Sequence, residues 1–235
     1  MKPDAPAPHV RRQPSPAEVL ASIAAVPAGR WIATDADNTI WAGDVGDEVI
    51  KMAAQSPDLW PTGMVALDWY LQEMEHGDYH LGCCYAAKVW ALLPTEMQEE
   101  GRKRLDQWLA QRVKARQWLM QALQQAVDRG VEVVIISASP GPTVAIAAQR
   151  LGLQTAPILG LEARLIGGEP VLAEPIAIGA GKVAAWQATR RSAPALALGD
   201  SPWDVPLLNS AEVGLWLTRA VDDPWVDASL QALPL

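Results

Sequence analysis

The chain has 235 residues, 50% hydrophobic and 20% charged, with a formal charge of −8. That length suits one large α/β domain, or a core domain with a smaller insert, and supports a hydrophobic core that needs no covalent staples. The negative charge argues against a nucleic-acid partner, which would want a basic face, but not against phosphate substrates, because a bound cation reverses the field inside a pocket.

Residues 1–14 are rich in proline and poor in large apolar side chains, and are expected to form a disordered tail. They lack the apolar stretch of a secretory signal. No apolar run approaches the ~20 residues needed to span a bilayer, so no membrane partner is expected. The two cysteines, Cys83 and Cys84, are neighbours. Adjacent cysteines make a poor disulfide and offer no metal-ligand spacing, so they are expected to be reduced core thiols of a cytoplasmic protein. Eleven tryptophans and no phenylalanine suggest one bulky aromatic standing in for another in the core.

Ser15-Pro16-Ala17-Glu18 predicts a capping box with proline at the first helical position. The helix should end near Pro27-Ala28-Gly29, and Arg30–Thr34 then forms a short strand running into Asp35. Residues 46–115 predict helices, with starts near Gly46-Asp47, Pro61-Thr62 and Pro94-Thr95, the last with a capping box from Thr95 to Gln98. Next, Trp118, Leu119, Ala122, Leu123, Ala126 and Val127 lie on one helical face that Gly130 terminates. The β-branched run Val131–Ile136 is typical of a buried parallel strand. A helix over 142–151, a hairpin over 159–171 turning at Gly167-Gly168, a helix over 182–190, and strands at 195–198 and 213–217 complete the pattern. Strand and helix alternate through this half, which predicts an α/β core with a parallel sheet between helical layers.

Three of the strands end in polar groups: Asp35 with Asp37, Ser137 with Ser139, and Asp200 with Asp204. Open α/β sheets bind ligands beyond the carboxyl ends of their strands, so separate segments deliver these groups to one crevice. Asp35-Ala36-Asp37-Asn38-Thr39 places two carboxylates on a strand-to-loop turn. Burying either charge alone is costly, and a divalent cation such as Mg²⁺ resolves this. Taken alone the segment is equally a capped turn, with Asp37 and Thr39 bonding nearby amides. Ser137 suits a phosphate oxygen, and Lys182, after Gly179-Ala180-Gly181, suits a phosphate as a point charge. Alone, Ser137 is a turn residue and Lys182 a surface lysine. Asp200 and Asp204, in Gly199-Asp200-Ser201-Pro202-Trp203-Asp204, would complete a cation site.

In that order, Asp35-Ala36-Asp37-Asn38-Thr39, Ser137, Lys182 and Gly199-Asp200…Asp204 resemble the four motifs of the haloacid dehalogenase superfamily of phosphatases. The match spans about residues 30–218. The helical insert resembles the cap of the phosphoserine-phosphatase-like branch. The resemblance implies a Rossmann-like core over 15–45 and 116–235, a helical cap over 46–115, Mg²⁺ as cofactor, and a covalent aspartyl-phosphate. It implies Asp35 as nucleophile and Asp37 as acid/base. The metal set implied is Asp35, the Asp37 backbone carbonyl and Asp200, with Asp204 orienting metal-bound waters or Lys182. Ser137 and Lys182 would bind the phosphoryl group. Asp37 argues against dehalogenation, because a halide leaves without a proton.

The substrate expected is a small phosphorylated metabolite. Asp44, Asp47 and Glu48 follow the first motif. They either face an amino or quaternary-ammonium group or complement the dipole of a helix N-terminus. Aromatic side chains in 46–115 offer cation–π faces, although most of these rings are expected to fill the insert's own core. The rivals to a phosphomonoester hydrolase are a phosphomutase with the same motifs and a non-catalytic binding module on the same scaffold.

Overall fold

The computed structural model describes residues 7, 9–61, 63–189 and 191–228. Its frame is a six-stranded parallel sheet of β1 (Val10–Arg12), β10 (Val213–Trp216), β9 (Leu196–Gly199), β2 (Trp31–Thr34), β5 (Glu132–Pro140) and β6 (Ile158–Leu161), in that spatial order. Side chains alternate across a strand, and here the alternation divides the core in two. Ile32, Val133, Ile135, Leu196 and Leu198 point into one cluster, and Trp31, Ala33, Val134, Ile136 and Ala197 into the other. Both faces are apolar, so both must be covered, which is why these strands carry continuous hydrophobic runs.

The helices that cover them follow local signals. Helix α1 (Pro16–Ala24) opens with the expected box: Ser15 Oγ accepts from the Glu18 amide, and the Glu18 carboxylate accepts from the Ser15 amide. Helix α6 (Gln117–Asp128) buries Trp118, Leu119, Ala122, Leu123 and Ala126, and Gly130 follows at φ +83°. Helix α1 packs on α6 over the first cluster, while α8 (Ala180–Ala188) and α9 (Val205–Ser210) serve the second. Helix α7 (Gly141–Arg150) follows β5 directly.

Between β2 and β5 lies the helical stretch. A two-residue strand β3 (Trp41–Ala42) leads into α2 (Val45–Ala54), α3 (Leu67–His76), α4 (Tyr79–Ala91) and α5 (Gln98–Leu109), and β4 (Lys114–Ala115) returns antiparallel to β3. The middle helical segment is broken at Gly77, and Asp78 caps the new helix by accepting from the His80 amide. The capping box expected from Thr95 does not form. Residues 95–97 make a 3₁₀ turn, and α5 starts after it without a side-chain cap.

Two further expectations are corrected. The tail expected to be disordered contains β1, which pairs in parallel with β10 and buries Val10. Its pairing partner lies 204 residues further along the chain, Val10 against Gly214, so nothing local announced it. The hairpin expected over 159–171 is shorter. Ile158–Leu161 joins the main sheet, and only β7 (Ala163–Ile166) and β8 (Glu169–Leu172) form the hairpin around Gly167-Gly168. Cys83 and Cys84 are free and buried. No helix among the described residues is long and apolar enough to cross a membrane.

Candidate active site

Strand β2 sits between β9 and β5, and the carboxyl ends of all three meet at one crevice. Asp35 leaves β2 with its backbone N–H donating to Leu198 O at 2.9 Å, which ties the first loop to β9. Asp200 follows β9, and Ser137 lies within the long β5. Two glycines permit the close approach. A Cβ on Gly199 would fall 2.5 Å from Asp204 Cβ, and one on Gly181 would collide with the Ile176 carbonyl oxygen, just where α8 must turn Lys182 inward. A cleft of about 230 Å³ results, lined by Asp35, Asp37, Ser137, Lys182 and Asp200 among others. A wider groove of about 940 Å³ lies between α5 and α7, but it contains none of these residues.

Lys182 is buried and bridges two carboxylates, with Nζ 2.6 Å from Asp35 Oδ1 and 2.6 Å from Asp204 Oδ1. Burial alone would lower its pKa, but the charges of Asp204 and Asp35 outweigh this and hold the ammonium form. The other oxygen of Asp204 accepts from Ser201 N and Oγ at 2.9 and 2.8 Å and from Asp200 N at 3.2 Å. Asp204 therefore fixes both Lys182 and the loop that carries Asp200.

The remaining acids are crowded. Burial, then the charge of Asp204, pushes Asp35 well above the usual carboxylate range. The same two causes raise Asp200 to about 7. Between them stands Thr39, whose Oγ lies 2.9 Å from Asp35 Oδ2 and 2.5 Å from Asp200 Oδ1. A hydroxyl has one proton to donate, so it cannot satisfy two ionised carboxylates at once. Asp35, Asp200 and Asp204 each place one oxygen within 4.8 Å of the others. A buried, all-oxygen cluster with excess negative charge has the donor chemistry of a hard divalent cation.

Asp37 is held apart from this cluster. Its Oδ1 accepts from Trp41 Nε1 and Val45 N, both at 2.8 Å, and its Oδ2 contacts Ser139 Oγ at 2.7 Å and Ser137 Oγ at 3.5 Å. Burial raises its pKa, and the Ser139, Val45 and Trp41 donors partly offset that. Ser137 Oγ also accepts from Ser139 N at 3.0 Å.

The three acids after the first loop part company. Asp44 lines the cleft while its Oδ1 caps α2, accepting from Gly46 N and Asp47 N at 2.9 and 3.0 Å. Burial, then Asp37 and Asp47, raises its pKa well above normal. Asp47 instead accepts from Tyr70 OH at 2.6 Å, and Glu48 from Lys51 Nζ at 2.8 Å and Trp108 Nε1 at 2.7 Å. Neither of the latter two lines the cleft.

The family model of haloacid dehalogenase-like hydrolases matches residues 32–209. The chain belongs to that family. It is therefore an enzyme of the hydrolase class, and its parallel sheet is the Rossmann-like core of the haloacid dehalogenase fold. No curated protein matches the chain. Solved structures share its fold at low identity. A protein of unknown function from Bordetella pertussis Tohama I superposes with a TM-score of 0.63 at 14% identity, covering 78% of this chain and 86% of that one. A HAD family hydrolase, t0658, from Salmonella enterica subsp. enterica serovar Typhi gives 0.54 at 20%, covering 81% and 63%. A substrate-bound phosphoserine phosphatase gives 0.51 at 15%, covering 77% and 82%.

Within this haloacid dehalogenase core, Asp35, Asp37, Ser137, Lys182 and Asp200 line one crevice, and Asp204 lies buried behind it on Lys182. Sequence reasoning missed Trp41, whose indole serves Asp37 rather than the core alone, and Arg219, which lines the cleft mouth. It also missed the parallel stack of Tyr79 on Trp203, with centroids 5.0 Å apart, that walls the cleft. No spacing signal marks any of these, since each depends on long-range packing.

Proposed function

We propose that this haloacid dehalogenase-like hydrolase is a Mg²⁺-dependent phosphomonoester hydrolase that works through an aspartyl-phosphate on Asp35. The observation that carries this reading is the division of labour between two aspartates two residues apart. Asp35 sits among Lys182, Asp200 and Asp204, whereas Asp37 sits in a separate cradle of neutral donors. These surroundings support a charge-bearing role for the first and a proton-transfer role for the second.

A carboxylate oxygen of Asp35 attacks phosphorus and the ester P–O bond breaks. Asp37 gives its proton to the departing alkoxide. Water then attacks the phosphorus of the acyl phosphate while Asp37 takes a proton from it, and the bond to Asp35 breaks, restoring both carboxyl groups. Lys182 and Ser137 hold phosphoryl oxygens. Asp35 and Asp200, with the Asp37 backbone carbonyl, would hold Mg²⁺, while Asp204, both of whose oxygens are engaged, keeps Lys182 and the Asp200 loop in place. When bound, Mg²⁺ would supply charge stabilisation for the transferring phosphoryl group. A phosphoserine phosphatase captured as a phospho-aspartyl intermediate analogue shares this fold at a TM-score of 0.50 and 14% identity.

Residues 46–115 act in this reading as a cap. Helix α2 brings the Val45 amide to Asp37, and α4 brings Tyr79 to the cleft wall. The organic part of the substrate extends toward Asp44, Tyr79 and Trp203, which favours a phosphate ester bearing an amino or quaternary-ammonium group. A panel of phosphorylated metabolites assayed for released phosphate, with and without Mg²⁺, tests the whole reading. Release from ammonium-bearing esters only with Mg²⁺ is expected. No release from any ester would refute it.

A further inference from the structure

We infer that Arg219 is a phosphoryl-binding residue, a second cation for the substrate beside Lys182; the inference rests on the phosphatase reading above. Among the described residues that line the cleft, Asp35, Asp37, Asp44 and Asp200 are acids, and Lys182 and Arg219 are the cations. Lys182 is already committed at 2.6 Å to both Asp35 and Asp204. Before a metal binds, the acidic side chains of this mouth outnumber its cationic ones by four to two.

Arg219 is differently placed. Its Nε lies 3.7 Å from Asp200 Oδ2, too far for a hydrogen bond, and its side chain is 56% exposed. That loose pair leaves a planar fork of N–H donors free beside the acids that surround the transferring group. A guanidinium fork matches phosphoryl oxygens in pairs, which an ammonium cannot do.

The backbone under Arg219 is fixed on both sides. The buried Arg116 donates from Nη1 to Thr39 O at 2.8 Å and from Nη2 to Thr218 O at 2.6 Å, and pairs with Asp223 at 2.9 Å. Ala220 N donates to Asn38 O at 2.6 Å. Thr218 and Ala220 are thus clamped to the same loop that presents Asp35 and Asp37. The one long, unclamped element of that clasp is the Arg219 side chain, directed to the cleft.

Inorganic phosphate is the probe. Its affinity is measured by calorimetric titration at fixed, saturating Mg²⁺ on the full chain and on Arg219→Gln, together with the Mg²⁺ half-saturation of each by thermal shift. Losing a charge-assisted hydrogen bond should weaken phosphate binding about 10-fold or more. KM for phosphate esters should rise in step, and the Mg²⁺ midpoint should stay within about twofold. Arg219→Lys should recover part of the loss, and guanidinium ion in solution should restore phosphate binding to Arg219→Ala. Unchanged phosphate affinity in Arg219→Gln overturns the inference, including the case where only discrimination among organic groups changes. So does a loss explained by weaker Mg²⁺ binding alone, which would make Arg219 a partner of Asp200. If the unaltered chain neither binds phosphate nor releases it from any ester, the phosphatase reading itself fails, a result distinct from either of these.

Discussion

The indole N–H of Trp41 and the backbone N–H of Val45 both donate to Oδ1 of Asp37, each at 2.8 Å. Neither group can accept, so a proton on Asp37 must reside on Oδ2, the oxygen 2.7 Å from Ser139 Oγ. A hydroxyl donates to a carboxylate and accepts from a carboxylic acid. The cradle therefore tolerates both charge states that the proposed acid/base role demands, without moving Asp37.

Asp37→Asn should fit this cradle unchanged, its amide oxygen facing Trp41 and Val45 and its amide nitrogen donating to Ser139. Only proton transfer is lost, which is worth ~10²–10⁴ in rate. The loss in the phosphorylation step should be large for alkyl phosphates and small for aryl phosphates, which depart without a proton. Rapid-quench measurement on both substrates checks this. Equal losses would count against the acid role.

Trp41→Phe tests the same cradle from its other side. Trp41 is fully buried, so the smaller ring leaves a cavity that should cost the fold about 1–3 kcal/mol. Activity should fall about 10-fold through loss of one hydrogen bond to a charged group. The signature of positioning is that this loss, too, is larger on alkyl than on aryl esters. A loss of equal size on both would make Trp41 a packing residue only.

Asp35→Asn should abolish turnover while leaving the fold intact. It removes one charge from a buried group of three acids, and Lys182 keeps Asp204 as a partner at 2.6 Å. Purified Asp35→Asn with even a tenth of the parent activity would show that the nucleophile lies elsewhere.

Magnesium should relieve the crowding around Thr39, and so stabilise the native state as well as support turnover. A ligand at 100 times its Kd adds about 2.7 kcal/mol. The melting temperature should rise accordingly with Mg²⁺, and less so in Asp200→Asn. Activity that survives exhaustive EDTA treatment would remove the metal from the mechanism.

How far these features were legible in the sequence depended on range. Asp35 and Asp200 were legible because a parallel sheet brings the carboxyl ends of its strands together, so each strand boundary located a side chain; Ser137, inside β5, and Lys182, in the first turn of α8, were legible only through their order among the motifs. The Ser15–Glu18 box was legible because it is complete within four residues. Strand β1 was not, since its hydrogen bonds go to β10, and the Thr95 box was misjudged because a proline-led 3₁₀ turn satisfies the chain there instead. Asp44, Asp47 and Glu48 looked alike in sequence. Only the positions of Tyr70, Lys51 and Trp108 distinguish the two that turn away. Trp41 and Arg219 were invisible for the same reason: their partners are defined by the folded cleft.

Asp44 makes a final, pH-dependent prediction. It caps α2 through Oδ1, a task asparagine performs equally well. Its carboxyl is held well above the usual range by burial and then by Asp37 and Asp47. For an acid whose pKa is higher in the folded than in the unfolded chain, the unfolded state loses its proton first as pH rises. The native state is then penalised progressively above the unfolded value, ~3.9, until the folded group also ionises. Asp44→Asn removes that penalty and keeps the cap. The variant should therefore melt higher than the parent at pH 7.5 without ligand, and the gap should narrow toward pH 4.5. Melting curves of both proteins across that range decide the point. A gap that is constant with pH would mean that Asp44 is not held above its unfolded pKa. A lower melting temperature for Asp44→Asn at every pH would mean that the carboxylate itself is needed as the cap. If Asp44 also meets a cationic substrate, the same variant should lose its preference for ammonium-bearing esters while hydrolysing alkyl phosphates with an uncharged organic group as before.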